Sequence, residues 1–141
     1  MIFYATVISA FLVVLALAAL GSGLIALLGL LFFKHFLCDY LLQSQAMLRD
    51  KHDLRASGPY LHSGLHALSS GLILLAFAPW WLALAIAVAE FVLHVLLDWG
   101  KAQWVRRQTL TETHPRYWHL FGLDQLFHTL TYVAMAALVF R

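Results

Sequence analysis

The chain reads as an all-α protein, a polytopic transmembrane bundle of about five helices, four of which form a core around polar residues. Two observations predict this. Apolar residues make up 62% of the sequence and charged residues only 11%, against roughly 25% charged in a soluble domain, so the surface needs a non-aqueous solvent. In addition, the few polar residues inside the apolar blocks recur at helical spacing. Mean hydropathy is +0.80, and 141 residues allow one domain with no polar stretch long enough for a soluble module. A net charge of +2 is too small to argue for nucleic acid, and the single cysteine, Cys38, excludes an internal disulfide.

Spanning hydrocarbon takes ~20 apolar residues in a helix. The first apolar block, from Ile2 to about Leu42, is long enough for two crossings, and Gly21-Ser22-Gly23 supplies a turn near its middle. Residues 1–23 are therefore expected to be an additional N-terminal helix, at about 2–20, and its turn. This segment lacks a basic leading region and its apolar run exceeds the ~7–15 residues of a secretory signal, which predicts retention. Residues 24–141 are expected to form a four-helix core. Its helices run at about 24–46, at about 60–78 ending at Pro79, from Trp80 to about Trp99, and at about 120–140. A single 40-residue first helix is the rival reading. A polar loop, Arg49 to Arg55, and a connector, Gly100 to His119, join the core helices. These two segments hold seven of the nine Lys/Arg residues and fall on one side of an alternating bundle. The positive-inside rule predicts a cytoplasmic side there, with the N-terminus cytoplasmic and Arg141 outside.

Each core helix carries one i,i+4 pair drawn from His and Asp: His35 and Asp39, His62 and His66, His94 and Asp98, Asp124 and His128. Residues four apart share a helical face, ~5–6 Å between Cβ atoms, so each pair can point at one site. The pairs lie toward the same membrane side. Asp39, His62, Asp98 and Asp124 form a shallow layer, with His35, His66, His94 and His128 about one turn deeper, ~6 Å at ~1.5 Å per residue. An isolated intramembrane His is ordinarily a helix-packing hydrogen-bonder, worth ~0.6 kcal/mol. An intramembrane Asp costs ~2.5–3.5 kcal/mol, however, and three of them call for cations to offset them. Imidazoles and carboxylates projecting inward from facing helices are a known way to hold metal in a bundle. All eight residues are therefore candidate ligands for one or two divalent transition-metal ions. Zinc, iron and manganese are the leading expectations, with nickel and cobalt compatible. Eight ligands are too many for one tetrahedral zinc. Haem is disfavoured because clustered Asp would crowd its flat pocket.

Lys34 and Glu90 share a greater depth and are expected to pair. Glu90, one turn before His94, is also a catalytic candidate with Asp98 and Asp124. Gln43 and Gln125 flank the shallow layer. His52, His114 and His119 read as solvated, and Trp104 with Arg106 and Arg107 as a connector lying on the membrane surface near anionic headgroups.

The ordered motifs resemble domain-of-unknown-function family 3307, a group of bacterial membrane proteins. They are His35-Phe-Leu-Cys-Asp39-Tyr-Leu-Leu-Gln43, Lys51, Leu61-His62 with His66, His94-x-x-x-Asp98, Lys101 and Asp124-Gln125-x-x-His128. The resemblance covers roughly residues 30–140 and implies a multi-pass protein of the bacterial inner membrane, but supplies no activity. From the residues, the expected function is a membrane-embedded metal-dependent hydrolase. Its expected substrate is amphiphilic, lipid-linked or phosphate-bearing, and its expected partner is membrane lipid at the cytoplasmic face. A di-iron-type membrane oxidoreductase and a non-enzymatic, metal-clipped subunit of a larger membrane complex are the alternatives. The outer halves, such as Leu72 to Ala76 and Val133 to Val139, are apolar, which argues against transport through the bundle.

Overall fold

The structure is a computed structural model that describes residues 9, 12, 13, 16 and 23–141. The helix expected at 2–20 and its turn at 21–23 lie essentially outside the described residues, as does the choice between two first helices and one long one. The described chain is helical, without a strand: α1 Gly23–Phe36, α2 Gln45–Arg49, α3 Gly58–Leu74, α4 Trp80–Arg107 and α5 Pro115–Val139. Helices α1, α3, α4 and α5 form a ring in which the backbone of each lies against its two neighbours, and only side chains reach the helix across. A Cβ on Gly71 of α3 would touch Ala87 of α4 and one on Gly64 would touch Phe91, the register of an antiparallel pair joined by a short turn.

Several helix ends differ from the sequence expectation, for local reasons. The helix expected at 24–46 is broken: α1 widens into one π turn at Leu37–Leu41, closed by Leu42 N–H donating to Leu37 O at 2.9 Å. Ser44 then caps α2 by accepting from Met47 N–H at 3.3 Å. Single π turns concentrate at functional sites, and this one carries Asp39. Helix α3 starts two residues earlier than expected. Its first turn holds Pro59, whose missing N–H costs nothing there. A Cβ at Gly58 would meet Ala46 O at 3.1 Å, a tight contact with backbone that glycine avoids. The regular part of α3 ends at Leu74, and a turn covers the stretch before Pro79.

Helix α4 runs eight residues past Trp99, and α5 begins at Pro115 rather than near 120. Gly100 does not end α4, because an interior glycine weakens a helix by only ~1 kcal/mol. The actual stop is a Schellman cap, with Thr109 N–H donating to Arg106 O at 3.1 Å and Leu110 N–H to Val105 O at 3.0 Å. The left-handed position of that cap, ordinarily glycine, is held by Thr109 at φ 48°, the one non-glycine residue with positive φ among those described. A β-branched residue is strained there by ~1–2 kcal/mol. Thr109→Gly is therefore expected to raise stability by about 1 kcal/mol in thermal unfolding of detergent-purified protein. An unchanged or lowered midpoint would contradict strain at this turn.

The four long helices repeat one vertical order. An apolar core of Leu27, Leu31, Leu74, Ala83, Ile86, Tyr132, Met135 and Ala136 fills the end away from the loops. Above it come Lys34 and Glu90, then the histidines, then the aspartates. Gly23–Leu41 and Trp80–Arg107 are the two described helical stretches long and apolar enough to cross a membrane.

Candidate metal centre

At the deepest polar level Lys34 Nζ donates to Glu90 Oε1 at 2.6 Å, to His66 O at 3.2 Å and to His66 Nδ1 at 3.2 Å, which uses all three ammonium protons. The expected Lys34–Glu90 pair is thus present, with side chains only 6% and 2% exposed. Lys34 also faces the Tyr132 ring at 4.7 Å, so one residue of α1 ties α3, α4 and α5 together. Because lysine can only donate, His66 Nδ1 accepts, and its Nε2–H points to Asp39 Oδ1 at 3.0 Å.

Above this pair the four deeper histidines close a ring. Centroid separations are 5.2 Å for His35–His66, 4.1 Å for His66–His94, 4.2 Å for His94–His128 and 5.5 Å for His128–His35. His62 packs edge-to-face against this ring, 4.7 Å from His66 and 5.0 Å from His94. The aspartates lie against these imidazoles. Asp39 touches His35 at 3.3 Å, His62 at 3.4 Å and His66 at 3.0 Å. Asp98 lies 3.5 Å from His62, 3.7 Å from His94 and 3.5 Å from His128, and Asp124 lies 3.6 Å from His128.

Two sets of these side chains can hold a metal ion. Asp39, His62, His66 and His94 form one and His94, Asp98 and His128 the other, each offering ligand atoms within 4.8 Å of one another. Tetrahedral bonds of ~2.0–2.1 Å separate ligand atoms by roughly 3.3 Å, so the side chains would need to close by up to about 1.5 Å. The donor set of imidazole and carboxylate fits such an ion. His94 belongs to both sets, is 2% exposed, and its Nε2 is buried without a hydrogen bond. His35 and Asp124 join neither set. His35 Nε2 faces Gln125 Oε1 at 3.1 Å, and its Nδ1 faces the Tyr132 hydroxyl at 2.9 Å.

The expectation that bound cations offset all three aspartates needs correction. Lys51 pairs with Asp98 at 2.7 Å and Lys101 with Asp124 at 2.9 Å. Among the described residues, Asp39 alone of the four carboxylates in this region has no ammonium partner, so the cation argument rests on the set around Asp39. Sequence reasoning placed Lys51 and Lys101 in loops, although Lys101 follows Asp98 by three residues on a helix that continues. Tyr132 was missed too, yet it extends the Asp124–His128 face by another four residues. Gln43 does flank the site, its Nε2 lying 3.1 Å from His62 Nδ1. His114 and His119 are exposed as expected, whereas His52 is half-buried and its carbonyl accepts from Gln103 Nε2 at 2.8 Å.

A cavity of about 760 Å³ opens above the cluster. Asp39, Asp98 and Asp124 line it together with the cations Arg49, Lys51, Lys101 and Arg106. Leu48, Val105, Leu110, Tyr117 and Phe121 give it an apolar wall. Glu90 does not line this cavity; it sits below the histidines, on the Lys34 pair.

No curated protein and no solved structure matches the chain. A family match covers residues 27–141, which includes every residue of the cluster. The chain belongs to the family described as "Protein of unknown function (DUF3307)".

Proposed function

We propose that the chain is a multi-pass protein of the bacterial inner membrane that holds one or two divalent transition-metal ions and hydrolyses an amphiphilic, lipid-linked or phosphate-bearing substrate. The observation that carries this reading is a single arrangement. Three aspartates and a buried, hydrogen-bond-free imidazole nitrogen lie beneath a cavity that is basic at its rim and apolar along its wall.

The membrane part of the reading rests on the outer surface. Leu61, Leu68, Leu72 and Leu75 of the α3 segment and Leu123, Leu126, Leu130 and Val133 of α5 are exposed. In water such a surface would aggregate. Helix α3 has only 17 residues, and both α3 and α5 carry cluster residues on their inner faces. Exposed Trp80 and Trp81 sit ~36 Å along α4 from exposed Trp104, the spacing of two interfacial belts across ~30 Å of hydrocarbon. The basic segments meet at one end through Lys51–Asp98 and Gln103–His52. That end is assigned to the cytoplasm. A C-terminal alkaline phosphatase fusion is therefore expected to be active; an inactive fusion, with a cytoplasmic reporter active at the same position, would reverse the topology.

A divalent cation at these ligands would supply a Lewis acid and a water of lowered pKa. Asp39, His62, His66 and His94 would hold one cation and His94, Asp98 and His128 a second, while Asp124, which lines the cavity and joins neither set, is placed to accept or return a proton. Glu90 acts through Lys34 and His66 rather than on substrate. The test is hydrolysis of a short-chain phosphate lipid by protein in nanodiscs. Activity should require a divalent cation and fall at least ~100-fold in Asp98→Asn with insertion intact. Turnover that survives chelation would reject the metal-dependent mechanism, and no turnover by metal-loaded protein would reject the hydrolase assignment. The Lys51–Asp98 and Lys101–Asp124 pairs favour one rival, a structural clip in a larger complex, in which no turnover is found although the bundle binds metal.

A further inference from the structure

The two lysines that neutralise Asp98 and Asp124 occupy an unusual place. Both side chains line the 760 Å³ cavity, yet both ammonium groups reach down to carboxylates beneath it, with side chains 16% and 21% exposed. Their attachments differ. Lys51 leaves from the segment after α2, and Lys101 from the extra turns of α4, where it also covers the Phe121 ring at 4.7 Å. Each ammonium therefore has two places to go without moving a helix: down to its carboxylate, or up into the cavity. Arg106 and Arg49, the latter paired with Asp50 at 2.9 Å, also line that cavity, so a dianion entering it would meet four cationic side chains once the lysines turn up. The volume suits a phosphate headgroup, since small-molecule sites span ~300–1,000 Å³.

What the lysines hold shut is the second cation set. Asp98 is the only carboxylate of the His94–Asp98–His128 set, and its Oδ2 is the oxygen paired with Lys51. The first set is different, because Asp39 has imidazole neighbours and no lysine. An ammonium and a divalent cation cannot share Asp98 favourably: like charges a few ångströms apart in a site shielded from water repel by several kcal/mol.

We propose that the cavity binds a phosphate-type anion on Lys51 and Lys101, drawing them off Asp98 and Asp124 and so opening the His94–Asp98–His128 set to a second divalent cation. This rests on the metal reading above. The coupling makes the site self-assembling: one ion is held at rest, and the second arrives with the anion. A free phosphate and a lipid phosphate headgroup present the same chemistry to the lysines. Reciprocity requires the second cation to tighten the anion by the factor by which the anion tightens the cation.

The experiment titrates cobalt(II) into metal-depleted protein in phosphatidylcholine nanodiscs, following its visible absorption. The titration is repeated with inorganic phosphate, and with phosphatidic acid included in the disc. The expected result is one tight ion in every condition and a second whose affinity rises at least ~10-fold with one of the phosphate sources. A response to inorganic phosphate identifies a free anion, and a response to phosphatidic acid alone identifies a headgroup. Lys51→Met with Lys101→Met should take up the second ion without phosphate. Because that variant also leaves two carboxylates unpaired and can fail to fold, the wild-type titration decides the matter. A second ion indifferent to both phosphate sources overturns the coupling while leaving the first site standing. Absence of any bound ion overturns the metal reading itself.

Discussion

Lys34→Met is expected to destabilise the bundle by about 3–5 kcal/mol, the loss typical of removing one partner of a buried ion pair. The substitution strands Glu90, 2% exposed, whose Oε2 already lacks a hydrogen bond. It also removes the donor that fixes His66 Nδ1 and the cation over the Tyr132 ring. Lys34→Met combined with Glu90→Leu should recover most of that loss, because replacing both members of such a pair with apolar groups is frequently neutral. Thermal unfolding in detergent measures both variants. A single variant within ~1 kcal/mol of wild type would show that the bundle does not depend on the Lys34–Glu90 pair.

His94→Ala is expected to empty both cation sets together. It contributes to each, and its Nε2 is the buried nitrogen left without a hydrogen bond. Loss of a partner that merely orients a ligand weakens metal binding ~10–100-fold, so removal of a shared ligand should exceed that range. Asp98→Asn should affect only the second set and Asp39→Asn only the first. Asp53→Asn is the control, since Asp53 is exposed and its carboxylate accepts from Arg55 N–H within the loop. Isothermal titration with manganese, in nanodiscs supplied with the phosphate source that opens the second set, distinguishes them. Equal affinities in wild type and His94→Ala would place any ion elsewhere.

Much of this site was legible in the sequence because four helices repeat one vertical order. On α4, Glu90, His94 and Asp98 follow at intervals of four, and on α5 Asp124, His128 and Tyr132 do the same. A helix converts that spacing into depth on one face, so the pairing of Lys34 with Glu90 and the ring of deeper histidines followed from counting. Elements governed by non-periodic contacts were not legible. The π turn around Asp39 leaves no mark in hydropathy. The end of α4 depends on a cap built on a threonine in the left-handed region, where sequence rules look for glycine. The motif match includes Lys51 and Lys101, but the misplaced end of α4 puts Lys101 in a connector, where its pairing with Asp124 is not legible. The pairing of Lys51 is not legible either, because a loop residue's reach into a bundle depends on tertiary packing.

Those two lysines sharpen what must be measured. With Asp98 and Asp124 already matched, a resident cation is required only by the surroundings of Asp39, where one carboxylate contacts three imidazoles and no ammonium group. Elemental analysis of protein purified without chelator tests this most directly. The account predicts at least one zinc, iron or manganese ion per folded chain, lost in Asp39→Asn. A folded, correctly inserted bundle carrying well under one ion per chain would contradict it, leaving the cluster as an ion-paired packing network.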